Sequence, residues 1–250
     1  MEFKFGNSIK TKIVLFAVTM LVVAMGIPTI ISFVNTREAI VEAAIKESTQ
    51  IAAITSKNLK LWVDTRKADV QKLSERTVFQ RALGDSFLAR SAQKKAGEEL
   101  ALEIKNNPFY LDILIINKSG EIVSGSGEYE SANLSGKEEM IEKSLSGEPV
   151  ISDLIIGSDG DEAAFYVNAP IMDKDTVVGV MTVEVSLGHF TRQFINDIKI
   201  GESGFVYVVN KAGLVMVHPN AGYINVLNLN KTPWGKKILE GDKTQTTHQW

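Results

Sequence analysis

From Ile13 to Val34 the chain reads IVLFAVTMLVVAMGIPTIISFV, without one charged residue. A helix of about 20 apolar residues spans a hydrocarbon core of roughly 30 Å, so this run is long enough to cross a bilayer. Lys4, Lys10 and Lys12 precede it, and positive charge beside a span is retained on the cytoplasmic side. The expectation is a cytoplasmic N-terminus at 1–12, a transmembrane helix at 13–34 in the inner (plasma) membrane, and the remaining residues exported. A cleaved signal peptide is the competing reading, but its apolar region covers only about 7 to 15 residues and ends at a small-x-small site. Ser32-Phe33-Val34-Asn35-Thr36 offers no such site, which favours an uncleaved anchor.

The 250 residues can bury a real core, and the 44% hydrophobic content includes the anchor, so the exported part has an ordinary soluble composition. A formal charge of −3, with basic residues interleaved among acids, gives no basic patch for nucleic acid. The absence of cysteine removes disulfide frameworks, thiol nucleophiles and Cys-ligated zinc together, and suits a bacterial or archaeal surface. His189, His218 and His248 lie far apart, without ligand spacing for a metal. Asp159-Gly160-Asp161-Glu162 lacks the regular spacing of a calcium loop and reads as a hairpin turn. With no nucleophile elbow, zinc-protease or Walker pattern, the chain is expected to be no enzyme and to use no cofactor.

Between Pro28 and Gly84 there is neither Pro nor Gly, while Ala, Glu, Lys, Leu and Gln dominate. That composition predicts one long helix, the first part of a helical stalk over 35–106. Ile40, Ala44, Ile51, Ile54, Leu61, Val70 and Leu73 form an interrupted apolar stripe that needs a partner face, either the chain's own domain or a second copy. Ala96–Lys105 predicts a further helix, stopped by Asn106-Asn107-Pro108.

Beyond Pro108 the pattern becomes short strands. YLDILIIN (110–117), a Lys118-Ser119-Gly120 turn and EIVSGS (121–126) make a hairpin. KEEMIEKSL (137–145) predicts a short helix closed by Ser146-Gly147-Glu148-Pro149. PVISDLII, AAFYVNAPIM and VVGVMTVEVSL (177–187) then predict an antiparallel meander, turning at Ser158-Asp159-Gly160 and Asp173-Lys174-Asp175. One α+β module over 107–195 accounts for these elements. HFTRQFINDIKI (189–200) predicts a connecting helix, after which GFVYVVNKAGLVMVH echoes LDILIINKSGEIVSG: apolar strand, Asn-Lys-x-Gly, apolar strand. The echo suggests a second module over 196–250, incomplete for want of a meander, as in a fragment of a longer protein.

An anchor, a long exported helix and tandem hairpin-led modules resemble the double Cache sensor domains of prokaryotic membrane receptors. IGESGFVYVVNKAGLVMVHPN is similar to that family's Gly-x-x-Gly entry, strand, turn, strand and His-Pro exit. GEPVISDLIIGSDGDEAAFYVNAPIMDKDTVVGVMTVEVSL is similar to its meander, including Ala169-Pro170-Ile171 and Val178-Gly179-Val180. The resemblance covers roughly residues 36 to 250 and the anchor. It implies PAS-like modules, the membrane-distal one holding a small-molecule pocket between its sheet and short helix. In the amine-recognising branch, an Arg-x-Trp-Tyr run on that helix holds the ligand carboxylate and an Asp on the last strand holds the amino group. Here Ser135-Gly136-Lys137-Glu138-Glu139-Met140 lacks the aromatic pair, with Lys137 at the Arg position and Glu184 at the Asp position. Lysine holds an anion as a point charge, without the planar bidentate grip of arginine.

The resemblance implies the ligand-sensing portion of a methyl-accepting chemotaxis protein that binds a small molecule, its class left open with amino acids and organic acids as candidates, and the stripe from Ile40 to Leu73 predicts a homodimer. Input to a histidine kinase or a cyclic-dinucleotide enzyme, or a membrane-anchored solute-binding protein, is the alternative. Candidate ligand contacts are Lys137, Met140, Tyr166, Asn168 and Glu184. Strand alternation puts Glu184 with Thr182 and Ser186, opposite Met181, Val183 and Val185, which fits a solvated face or a pocket carboxylate. Lys137 fits a solvated helix surface or a ligand contact. Tyr166 and Asn168 share a face with Ala164, as a pocket wall would, and Tyr166 also fits core packing.

Overall fold

A computed structural model describes residues 9–84, 88–127, 134, 137–158, 160, 162–201 and 204–239. Contacts group into two units, Met1–Ile51 and Ala52–Trp250. Helix α1 is Ile9–Ser74, unbroken through Pro28. Its apolar part has a window of mean hydropathy 2.5 with no residue buried, so it is long and apolar enough to cross a membrane. Within it the Thr19 and Thr29 hydroxyls donate to the Leu15 and Met25 carbonyls at 2.8 and 2.6 Å, which keeps both polar side chains satisfied without water.

The expected continuation of this helix to Gly84 does not occur: it stops at Ser74 although no Pro or Gly is present. Tertiary contacts override propensity here. Ser74 Oγ donates to the carbonyls of Gln71 and of Pro170 across the sheet, and Arg76 adopts an extended backbone, φ −66° and ψ 133°. Helix α2 (Thr77–Ala82) follows and buries Phe79 and Ala82. Helix α3 (Ala89–Asn106) starts earlier than Ala96, and its Glu103 and Glu99 pair with the Arg76 guanidinium at 2.7 and 3.9 Å. Asp85, in the expected break, is outside the described residues.

Strands β1 (Tyr110–Asn117) and β2 (Ile122–Gly125) form the expected hairpin, and α4 is Glu138–Leu145. Gly147, at φ +103°, closes α4 in a left-handed conformation that glycine adopts freely. The stretch PVISDLII divides into two short strands, β3 (Val150–Ile151) and β4 (Ile155–Ile156). Both pair with β5 (Ala163–Asp173), which runs through a Lys174 turn into β6 (Thr176–Ser186). The sheet order is β2-β1-β6-β5-β3, with β4 also on β5. Gly160 is described at the intervening turn, whereas Asp159 and Asp161 are outside the described residues.

Helix α5 (Gly188–Phe194) is shorter than expected, because Ile195 leaves helical geometry at φ −120°. A second hairpin follows, β7 (Val208–Val209) and β8 (Val215–Val217), then two short 3-10 turns and α6 (Pro233–Leu239). The repeated Asn-Lys-x-Gly is one turn built twice. In each copy the Gly N–H donates to the Asn carbonyl, at 3.0 Å for Gly120 and 2.9 Å for Gly213. The Asn117 and Asn210 side chains accept from Glu121 N and Leu214 N at 2.9 and 3.0 Å. The glycines sit at φ +81° and +78°, where a side chain would be strained.

The core follows the two-residue period of the strands. Ile113, Ile115, Phe165, Val167, Ala169, Ile171, Met181, Val183 and Val185 face the helical layer, where Val70, Leu73, Phe79, Ala82, Ala96 and Leu100 meet them. The apolar stripe on α1 therefore splits. Val70 and Leu73 enter this core, while Ile40, Ile54 and Leu61 stay exposed. Trp62 docks α1 between Phe109, Phe165 and Phe190, with ring centroids 6.2, 6.0 and 5.6 Å away.

Candidate functional site

The opposite sheet face carries three cross-strand rows. They are Ile116, Val180 and Pro170; Leu114, Thr182 and Asn168; and Asp112, Glu184 and Tyr166. Along the strands the face thus changes from apolar to charged. Ile141 of α4 packs on Leu114, Ile116 and Val180, which holds α4 over the apolar end.

A bulge borders the charged row. The β1–β6 register shifts between Tyr110, opposite Val185, and Asp112, opposite Glu184, leaving Leu111 as the extra residue. Asp112 keeps the alternation of Leu114 and Ile116 on this face, and the extra residue turns Tyr110 into the helical core with Ile113 and Ile115. Bulges re-aim side chains in this way beside functional sites. Asp112 Oδ1 accepts from Ile113 N and Ser126 Oγ, both at 2.8 Å.

Glu184 is only 4% exposed, so its strand face is not solvated. Its Oε1 accepts from Ser158 N at 2.6 Å, and its Oε2 accepts a longer bond, 3.3 Å, from the Tyr166 hydroxyl. The Lys137 ammonium sits 4.2 Å from the Tyr166 ring centroid, a cation–π distance. Burial pushes the Lys137 ammonium below its ordinary pKa, opposed by Glu184 and then Asp112. Burial, with Glu184 and Asp112, pushes the Tyr166 phenol up, so it remains a donor at neutral pH. Two carboxyl groups face one ammonium, a balance that favours one further cation.

Lys137, Tyr166 and Glu184 are therefore brought together, and Lys137 is half-buried rather than a fully solvated surface charge. Tyr166 is half-buried with its hydroxyl on Glu184. Asn168 lies in the neighbouring row, 1% exposed, and Met140 is half-buried on α4. Ser135 and Gly136, in the segment matched to the family's helix, are outside the described residues. Sequence reading missed Asp112, Thr182 as a site member, and the Ser158 amide. A lone acid in the apolar run YLDILIIN was the available signal for Asp112.

Hydrogen bonds connect this row to the second hairpin. Tyr166 and Ser152 exchange two, at 3.0 Å from Ser152 N and 2.8 Å from Tyr166 N. The adjacent Asp153 Oδ2 accepts from Lys211 N at 3.1 Å, and Asn210 Nδ2 donates to Leu154 O at 3.3 Å.

A family model described as a Cache domain matches residues 36–249. The methyl-accepting chemotaxis protein PscA of Pseudomonas syringae pv. tomato is 22% identical over 234 residues, 88% of this chain and 33% of its own length. The chain thus spans about a third of that relative. Among solved structures, the ligand-binding domain of the Pseudomonas aeruginosa amino acid chemoreceptor PctC, in complex with GABA, has TM-score 0.53 and 16% identity. That match covers 71% of this chain and 76% of PctC's. The sensor domain of the Vibrio cholerae histidine kinase DctB has TM-score 0.56 and 14% identity, covering 80% and 79%. A domain of a sensory box/GGDEF family protein from Vibrio parahaemolyticus has TM-score 0.57 and 12% identity, covering 79% and 78%. At these identities the structural likeness concerns the fold.

Proposed function

Since the chain belongs to the Cache domain family, we propose that its first sheet module binds a small cationic molecule outside the cell and reports it through α1. The carrying observation is the row of Asp112, Glu184 and Tyr166, an acidic pair of which Glu184 is buried and Asp112 half-buried, with one ammonium beside it. Burial strengthens a charge–charge contact that water would screen. Lys137, seated on the Tyr166 ring, supplies the positive charge that holds an anionic group when the ligand carries one, as an amino acid does. Asp112, Lys137, Tyr166, Asn168 and Glu184 are the contacts assigned to this site, with Met140 bordering it on α4.

In this reading residues 1–12 are cytoplasmic, 13–34 span the membrane, 35–106 form the stalk, and 107–195 and 196–250 are the two sensor modules. The lysines before the apolar run support that orientation. Output is methyl-accepting chemotaxis signalling, supported by the relative that matches most of the chain. A histidine kinase output is the second reading, supported by the likeness to the DctB sensor domain. Exposed Ile40, Ile54 and Leu61 supply the face for a homodimer. Signal requires a ligand that prefers one helix arrangement, because equal affinity for both moves nothing.

The test is thermal unfolding of the full chain in detergent against amines, amino acids and organic acids. A ligand at a hundred times its Kd stabilises by about 2.7 kcal/mol, several degrees in a chain of this size. Cationic amines should raise the Tm of the wild type and leave Glu184→Gln unmoved. No shift with any compound, or equal shifts in Glu184→Gln, overturns the reading.

A further inference from the structure

We infer that Asn168 and Thr182 form a second polar grip in this site, selecting a ligand with a neutral amide about 7 Å from its cationic amine. The inference rests on the ligand-binding reading above and adds the ligand's class. Asn168 and Thr182 are 1% and 2% exposed. Asn168 Nδ2, Asn168 Oδ1 and Thr182 Oγ1 have no hydrogen-bond partner among the described residues. Buried side-chain polar atoms are paired in the large majority of cases, and the two residues are direct cross-strand partners. Their neighbours across the sheet, Leu114 and Val150, are apolar.

Position and chemistry together specify the missing partner. The pair lies on the same sheet face as Tyr166 and Glu184, two residues along each strand, a step of about 7 Å. Asn168 offers one unused donor group and one unused acceptor, whichever way its amide is turned. A ligand amide satisfies both at once and leaves its second lone pair for the Thr182 hydroxyl. A carboxylate would set acceptor against acceptor at Asn168 Oδ1 and bring negative charge toward Asp112 and Glu184. An alkyl group would leave all three atoms unpaired. The three atoms are sealed from solvent, and α4 packs over β5 and β6, so engagement of the amide goes with a lift of α4.

The experiment is isothermal titration of the full chain in detergent with δ-aminovaleramide, δ-aminovalerate and pentylamine. The three share a primary amine on a similar chain and differ at the far end. The wild type is expected to bind the amide about tenfold to a hundredfold more tightly than either analogue, the range for pairing a buried polar group. Asn168→Leu should reduce the amide to the affinity of pentylamine, and Thr182→Val should remove part of the preference. Both variants replace unpaired groups by apolar ones of similar size, so the fold is retained. An absent amide preference in the wild type overturns the inference. So does a preference that survives Asn168→Leu, or variants that only gain stability, as purely structural residues would. If pentylamine binds and Glu184→Gln abolishes it, the underlying site stands whatever the amide does. If no amine binds at all, site and inference fall together.

Discussion

Trp62→Ala tests whether α1 is held to the sensor module by the ring cluster. A Trp side chain buries 150–250 Å² at about 25 cal/mol per Å², and Trp62 keeps a minority of its surface exposed, which puts the loss at about 3 to 4 kcal/mol. The three ring contacts to Phe109, Phe165 and Phe190 and the Arg66 guanidinium 5.4 Å over the indole act in the same direction. For a chain of this size each kcal/mol moves the Tm by about 2–4 °C, so a drop of roughly 10 °C is expected. The assay is thermal unfolding by circular dichroism, with Trp62→Phe recovering about half the loss. A drop below about 3 °C would refute the argument, since it corresponds to about 1 kcal/mol and to a ring that docks nothing.

Three further outcomes follow from local geometry. Burial, then Asp69 and Glu103, push the Tyr110 phenol from 10.0 up to about 12; its contribution, about 3 kcal/mol, is fully present below pH 10 and lost as pH rises through about 12. Denaturant melts at alkaline pH should show that loss, and Tyr110→Phe should flatten it. The two matched turns should respond unequally to alanine: at Gly120 an added Cβ meets nothing, whereas at Gly213 it meets Leu239 at 2.8 Å and Asn230 at 2.9 Å. Gly120→Ala then costs about 1 kcal/mol of left-handed strain and Gly213→Ala clearly more, and equal urea midpoints would contradict this. Asp153→Ala should accelerate hydrogen exchange at the Lys211 amide while ligand affinity stays within about twofold; unchanged exchange would show that the contact carries nothing.

Much of the fold was legible because two periods write it plainly. The strand alternation that separates Met181, Val183 and Val185 from Thr182 and Glu184 is realised, and the Asn-Lys-x-Gly echo is one hydrogen-bonded turn made twice. The end of α1 was not legible. It depends on Ser74 reaching Pro170 and on Arg76 reaching α3, contacts distant in sequence. The site was half legible. Glu184, Tyr166 and Lys137 were placed by pattern and resemblance, but alternation cannot distinguish a solvated face from one covered by α4. Alternation does put Asp112 with Leu114 and Ile116, but nothing in the run YLDILIIN tells that β1 pairs with β6 and sets this acid opposite Glu184, a contact distant in sequence.

The most direct measurement compares pentylamine with pentanol, similar in shape and differing in charge, on the wild type and on Glu184→Gln. If the row of Asp112 and Glu184 is a cation site, the amine binds the wild type at least about tenfold more tightly than the alcohol, the equivalent of about 1.4 kcal/mol. That advantage disappears in Glu184→Gln while its circular dichroism remains that of the wild type. Equal affinity of amine and alcohol for the wild type, or an advantage undiminished in Glu184→Gln, contradicts the account.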